Sequence, residues 1–453
     1  MEYRIQKQVK ASLELVKRDQ SVIAPCQRLS YYPLIIDSAQ GDILQDVDGN
    51  SYIDFLSSAS SLNLGSTHPV VTEAIEKQLR KCTQYTSVYT YNEPMIQYAE
   101  KLTSVFPGKK PAKIVFGNCG SDGNDAAIKF SRAYTGRSKI ITFLHGYHGN
   151  TYGASSLSSC SSRMHEKIGP LLPDVFHFPF WGIDEPDEIV QKQGISDIQN
   201  AFDTYLPPKE VAAIIIEPIQ GDGGMLPAHP IFMKKLYDLC RQYGILFISE
   251  EVQQGFWRTG RFWGIENYPE VIPDGIIMGK SIGAGLTLGG FMARADIMDS
   301  LPAPAHIFTL AGHALACAAG NAAFDYYMSS SFQKQLKARV ISMQKHLQDL
   351  KEQHPDRIGF YRGIGLSYGI GMVHHHDNGK HTPDMKGAFK VCFRSYELGL
   401  VLITLCGYIL RIQPPLTISE KHLQEAFSIL HQSLHDLEEG HISEEVLSYQ
   451  SGW

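Results

Sequence analysis

Between residues 113 and 280, short apolar runs alternate with amphipathic stretches, and this alternation restricts the possible folds more than any other feature of the chain. The runs KIVFGN (113–118), KIITFL (139–144), VAAIIIEPI (211–219), ILFISEEV (245–252) and GIIMGK (275–280) are β-branched and nearly continuous in apolar character, as strands covered on both faces are. Between them, SDGNDAAIKFSRAYTG (121–136) opens on the cap-type residues Ser121 and Asp122, and HPIFMKKLYDLCRQYG (229–244) stops at Gly244. Both read as helices. Such alternation predicts a mainly parallel α/β sheet with helices on both faces.

After residue 320 the texture changes. The segment FQKQLKARVISMQKHLQDLKEQ (332–353) has the pattern of a long helix. Strands are expected around 366–373, 400–405 and 409–413, and a last helix from about 419 to 438, which together make a separate α+β domain. Upstream, GDILQDVDGNSYIDF (41–55) places Asp48-Gly49 between two alternating runs, a hairpin signal, and this hairpin is expected to pack with the C-terminal part. A chain of 453 residues suits two or three domains. The expected division is an N-terminal segment, 1–64, belonging to the small domain, a large domain at 65–320, and a C-terminal small domain at 321–453. No internal repeat or low-complexity linker interrupts it.

Several function classes are disfavoured. With 43% hydrophobic and 19% charged residues the chain is not globally disordered. A net charge of −6 gives no reason to expect nucleic acid or an anionic membrane as a partner. The opening MEYRIQKQVKASLELVKRDQ reads as a surface helix without the apolar core of a secretory signal. No stretch reaches the eighteen or so apolar residues of a membrane span. The eight cysteines are scattered without a CxxC pair, so buried free thiols in a reducing cytoplasm are expected.

Four strand ends hold residue types that suggest chemistry. Asn118-Cys119-Gly120-Ser121-Asp122 joins a strand to a helix, where backbone N–H groups can face an anion; a plain helix start reads the same way. His145-Gly146-Tyr147-His148-Gly149 follows the second strand, where a side chain can stack on a planar ligand; a turn that happens to hold an aromatic is the alternative. Ser249-Glu250-Glu251-Val252-Gln253 ends another apolar strand, and a carboxylate buried there needs a partner such as a pyridinium nitrogen. In isolation it could equally be an exposed acidic strand end. Lys280 closes the run GIIMG, and a lysine desolvated in such a place becomes a usable nucleophile and base. Anion turn, stacking aromatic, carboxylate and lysine, in this order, compose a site for pyridoxal 5′-phosphate (PLP).

At these residues the sequence resembles the class III aminotransferases, from about residue 31 to the C-terminus. NCGSDGNDAAIKFSRAYTGR looks like the family's phosphate-loop motif, GYHGNTYG its ring-stacking motif, and IIIEPIQGDGG its central strand and turn. ISEEVQQGFWRTGRFWGIE and PDGIIMGKSIGAGLTLGG look like the signature around the cofactor lysine. The resemblance implies PLP-dependent fold type I, and a homodimer or dimer of dimers with sites at the subunit interface. It implies that Gly120 and Ser121 hold the phosphate, that Asp122 belongs to the cofactor site beside them, and that Tyr147 stacks on the ring. It further implies that Glu250 faces the ring nitrogen, Gln253 approaches the ring hydroxyl and Lys280 forms the Schiff base. Thr309 would reach the phosphate in the neighbouring subunit, and Arg411 would clamp the substrate carboxylate with its bidentate fork.

Three positions depart from the family pattern. Glu250 stands where aspartate is usual, Gly221-Asp222-Gly223 where Gly-Glu-Gly is usual, and His313-Ala314 where Asn-Pro is usual. Asp222, the segments PAPAHIFT and ILRIQPPLTIS, and the terminal Gly452-Trp453 resemble the amino-acid racemase and isoleucine 2-epimerase branch of the family. There Lys280 would serve one face of Cα, and Asp222 is a candidate for the other; Asp222 could instead be a shorter ion-pair partner for Arg411. The expected function is therefore a racemase or 2-epimerase of small nonpolar amino acids, a small-molecule substrate. The alternatives are an aminotransferase of the 4-aminobutyrate or ω-amine type, and a non-catalytic PLP-binding sensor. The sensor is disfavoured by the presence of Lys280 and Arg411 without an appended DNA-binding segment. No metal is expected, even at His374-His375-His376-Asp377, which falls in a polar hairpin region. Tyr85, Tyr89 and Tyr91 are expected to pack at an interface.

Overall fold

The structure is a computed structural model in which residues 5–375, 381–450 and 452 are described. The described parts of 1–68 and 333–453 form one compact unit, and Pro69–Phe332 forms the other.

The first helix described in the first unit is Lys10–Val22, and residues 5–9 lie outside it. Its N-cap, Val9, has no capping side chain. The cap comes from afar: the Asp48 carboxylate accepts the N–H groups of Ala11 and Ser12, each at 2.8 Å, meeting two donors that a helix start leaves unsatisfied. Asp48 lies in the expected hairpin turn. Strands β1 (Ile36–Gln40), β2 (Ile43–Asp46) and β3 (Ser51–Asp54) form an antiparallel ribbon. The β2–β3 turn is held by buried Asp46, whose Oδ1 accepts from the N–H of Asp48 and of Asn50, with Gly49 left-handed at φ +86°.

The second unit supplies β4 (Ala112–Gly117), β5 (Lys139–Phe143), β6 (Val175–Phe178), β7 (Val211–Ile216), the short pair β8 (Ile219–Gln220) and β9 (Leu226–Pro227), β10 (Leu246–Glu250), β11 (Gly275–Met278) and β12 (Gly289–Arg294). Seven of them form one sheet in the order β4-β12-β11-β10-β7-β5-β6. Only β12 runs antiparallel to its neighbours, so the sheet is mainly parallel as expected. Every residue of central β7 is buried, which is why its sequence is apolar throughout instead of alternating. The helix Gly120–Thr135 buries Ala126, Ala127 and Phe130 against Ile215, Ile277 and Phe291. It starts at Gly120 with Cys119 as its N-cap, so Ser121 and Asp122 are first-turn residues and not the cap expected from their chemistry.

At the inner rim of this sheet Asp274 is only 3% exposed. It accepts the Phe247 N–H at 2.9 Å and pairs with Arg241 and Arg294. Alanine at 274 would strand a buried donor and uncouple two guanidiniums that still reach solvent. The expected loss is about 3 kcal/mol, at the low end for a broken buried pair, read as a lower urea midpoint with unchanged slope. An unchanged midpoint would show that the arginines find other partners at no cost.

The chain then returns to the first unit with β13 (Ile358–Ile364), β14 (Ser367–His375), β15 (His381–Pro383), β16 (Leu400–Val401), β17 (Ile403–Leu405) and β18 (Ile409–Ile412). Strands β13-β14-β18-β17 make an antiparallel sheet with β15 on β14. β16 pairs in parallel with β3, so the N-terminal ribbon does pack with C-terminal chain. Tyr396 adds to that junction by stacking on Tyr32 and Tyr52 at centroid distances of 4.5 and 5.4 Å. The helices Ser330–Gln353 and Glu420–Glu438 match expectation closely. β13 and the helix Met385–Leu398 were not anticipated; Gly359 and Gly363 make IGFYRGI read as loop. The cysteine expectation is corrected: all eight thiols are free, but only Cys240, Cys317 and Cys392 are buried, and Cys26, Cys82, Cys119 and Cys406 are exposed. Among the described residues no helix is long and apolar enough to cross a membrane.

Candidate active site

The strand ends of the large sheet converge. A Cβ on Gly279 would lie 2.9 Å from the Gly120 Cα, and a Cβ on Gly120 would lie 2.8 Å from the Val252 side chain. The turns after β4, β10 and β11 therefore touch, and only glycine permits that approach. The loop after β5 joins them: Gly149, at φ +124°, sits so close over Ser121 that a Cβ would come within 1.9 Å of its Oγ. Ser121 Oγ also accepts the Asn150 N–H at 3.3 Å. The helix beginning at Gly120 leaves its first N–H groups without intrahelical acceptors, so this point attracts an anion. Asp122 Oδ2 accepts from the Asn118 N–H at 2.7 Å and so holds the turn leading into the helix.

Lys280 follows β11 directly and opens a 3₁₀ turn, Lys280–Gly283, instead of ending the strand. Its φ is +49°, a left-handed conformation that a lysine adopts only when its surroundings impose it.

Glu250 and Glu251 end β10 side by side and part company. The Glu251 carboxylate is fully engaged by the Ser249 hydroxyl and by the Gly264 and Ile265 N–H groups at 2.7–2.9 Å. Burial pushes its acidity to about pH 7 against those bonds, and its part is to hold the loop at 264–265. Glu250, 3% exposed, accepts from the Val252 N–H at 3.2 Å and stands 3.8 Å from His148 Nδ1. That imidazole nitrogen is buried without a hydrogen-bond partner, while His148 Nε2 lies 3.2 Å from Thr142 Oγ1. Nearby Glu217 is pushed up to about 7, first by burial and then by the charge of Glu250. Two buried carboxylates beside an imidazole form a negative pocket suited to a cation.

Around this pocket the other expected residues are placed unevenly. Tyr147 donates its backbone N–H to Glu217 at 3.0 Å, and its hydroxyl accepts from Asn150 Nδ2 at 3.0 Å. Its phenol is pushed up to about 12, first by burial and then by the charge of Asp222. Gln253 packs over the same turn, since a Cβ on Gly221 would fall 2.1 Å from its Oε1. Thr309 is exposed and lines an open surface cavity with Asn118, Tyr89, Ile307 and Leu310. Arg411 belongs to the other unit, in β18. It is 2% exposed, donates from Nε to Gln413 Oε1, and Gln413 in turn donates to Ser367 Oγ at 2.7 Å. Tyr85, Tyr89 and Tyr91 are exposed. His374 pairs with Asp384 at 3.0 Å and His375 meets His381. His376, Asp377 and Trp453 lie outside the described residues. Among the described residues no three His, Cys, Asp or Glu side chains gather as metal ligands would.

Sequence reading passed over Glu217, although a carboxylate ending the apolar run AAIII and followed by Pro218 signals a buried, partnered charge. It also missed the bracing role of Asn150.

The residues fit pyridoxal 5′-phosphate. A helix start can take the phosphate, the pocket of Glu250 and His148 can take a ring nitrogen, and the glycine contacts bring the turn that carries Lys280 against that helix start. The chain is matched by the aminotransferase class-III family model over residues 26–434. It is 39% identical over 445 residues to the isoleucine 2-epimerase of Lentilactobacillus buchneri, covering 97% of this chain and 98% of the other. It is 35% identical to the leucine/methionine racemase of Thermococcus litoralis, covering 97% and 99%. Among solved structures it resembles the taurine:2-oxoglutarate aminotransferase of Bifidobacterium kashiwanohense, in complex with PLP and glutamate. There the TM-score is 0.86 and the identity 28%, over 94% of this chain and 98% of that one.

Proposed function

The chain belongs to the class III aminotransferase family and uses pyridoxal 5′-phosphate, and on that premise we propose that it is an amino-acid racemase or 2-epimerase acting at Cα of nonpolar amino acids. The observation behind this reading is the turn Gly221-Asp222-Gly223, which carries a buried carboxylate whose charge acts on the Tyr147 phenol. Two relatives along nearly the whole chain, named an isoleucine 2-epimerase and a leucine/methionine racemase, support it.

When bound, the cofactor draws electrons from Cα and so makes its proton removable. Lys280 holds the cofactor and moves the proton at Cα on one face. Asp222 would deliver a proton drawn from solvent on the other face, while the proton taken by Lys280 exchanges with solvent before the next turnover. Gly120 and Ser121 would hold the phosphate at the helix start, with Asp122 fixing the turn before it, Tyr147 would stack on the ring, Glu250 would serve the ring nitrogen and Gln253 the ring hydroxyl. Arg411 orients the substrate carboxylate. A homodimer or dimer of dimers belongs to the same reading. Exposed Tyr89, Ile307 and Leu310 line one cavity with Thr309, an apolar surface that a second copy would cover while Thr309 reached its phosphate. A cytoplasmic location accords with eight free thiols.

The second reading, an aminotransferase, is favoured by the likeness to the taurine:2-oxoglutarate enzyme. Holoenzyme given one L-amino acid in deuterated water separates the two. A racemase yields the D-form with deuterium at Cα and needs no keto acid. An aminotransferase stops after one turnover until a keto acid is supplied and accumulates no D-product, and that result would displace the racemase reading. Asp222→Asn should slow exchange of one enantiomer more than the other; equal slowing would remove Asp222 from the proton path.

A further inference from the structure

Glu217 follows β7 and is 6% exposed. Its Oε1 accepts the Tyr147 N–H at 3.0 Å, and its Oε2 accepts the Gly221 N–H at 2.9 Å. These two donors lie on different loops, one after β5 and one in the turn that carries Asp222. A single buried carboxylate thus ties the loop presenting the aromatic ring to the turn presenting the second acid. We propose that Glu217 is a positioning residue, fixing Tyr147 relative to Asp222 by gripping both backbones while it is ionised. The catalytic consequence rests on the racemase reading above; the positioning itself does not.

The grip follows from elementary acceptor chemistry. An ionised carboxylate accepts at both oxygens, and each N–H bond to it is charge-assisted. Once protonated, one oxygen becomes a hydroxyl that accepts weakly and carries a hydrogen of its own, so one of the two loops loses its anchor. The titratable groups facing Glu217 are Glu250, at the end of β10, and His148, in the loop after β5. Burial and Glu250 raise its pKa to about 7, while His148 and the two N–H groups oppose that rise. The value is raised, so folding favours the protonated form. Ionisation as pH climbs through about 7 costs some stability and, in the same step, closes the grip.

Glu217→Gln tests this, because an amide keeps one acceptor and turns an N–H toward a backbone N–H. The direct readout is the circular dichroism of the bound cofactor in the holoenzyme, which reports how the ring stacks on Tyr147. In the unmodified enzyme this band should change with a midpoint near pH 7. In Glu217→Gln it should be weaker and flat with pH. The ratio of Cα deuterium exchange for the two enantiomers should shift on the order of tenfold, as a small displacement of a proton donor does. Glu217→Asp, whose arm is too short to span both loops, should behave in the same way. A variant with the original band, the original pH midpoint and the original enantiomer ratio would overturn the proposal. So would an unmodified enzyme whose band stays constant through pH 7, a result that stands even if the variants do not fold. Absence of racemisation alongside the expected dichroism would instead overturn the functional reading and leave Glu217 in its place.

Discussion

Replacing Lys280 with alanine should abolish turnover, by on the order of 10⁴-fold or more, because in the proposed reading one side chain is both the anchor for the cofactor and the base at Cα. The fold should survive. The backbone at Lys280 is left-handed, at φ +49°, and alanine meets the same φ restriction as lysine. The visible absorption band of the lysine-linked cofactor should vanish. Phosphate held at the Gly120 helix start can keep the cofactor bound without a covalent link, so equilibrium dialysis should still find it associated. Urea unfolding of the apoprotein should be nearly unchanged. Turnover at the original rate in this variant would refute the site and every role assigned within it.

Arg411→Ala should weaken carboxylate-bearing substrates by about 2–5 kcal/mol, a factor of roughly 30 to a few thousand in kcat/KM. The guanidinium is pre-oriented: Gln413 receives its Nε, and Ser367 receives Gln413, so the fork is held by β14 and β18 before any substrate arrives. Little ordering is then left for binding, which is why the loss should fall mainly on KM. Amines of the same shape without a carboxylate should lose far less. An equal loss for both classes would mean that the arginine only supports the strand beneath it.

The large sheet was legible because its evidence is local. A strand buried on both faces must be apolar throughout, and a helix beside it must alternate, so β4, β5, β7, β10 and β11 stand out within a few residues each. β13 was illegible for the same reason, since two glycines erase the pattern while its pairing with β14 supplies the order. Lys280 was recognisable because a charge after a buried strand contradicts its neighbours. The choice between Glu250 and Glu251 as the acid of the pocket rested on resemblance. It gains a physical basis only in the structure, where Glu251 is consumed by the Ser249 hydroxyl and the Gly264 and Ile265 N–H groups.

By itself, then, the sequence determined the class of sheet, five of its seven strands in their order along the chain, and the residue types at those strand ends. Periodicity and buried charge are written in neighbouring residues. The tertiary structure alone decided what those residues meet. Asp48 caps a helix 37 residues upstream, Glu217 grips a backbone 70 residues before it, and four cysteines are exposed that composition suggested would be buried. Such contacts join segments whose separation along the chain is unrelated to their separation in space. Their free energy depends on burial and geometry that exist only once the sheet has brought its strand ends together.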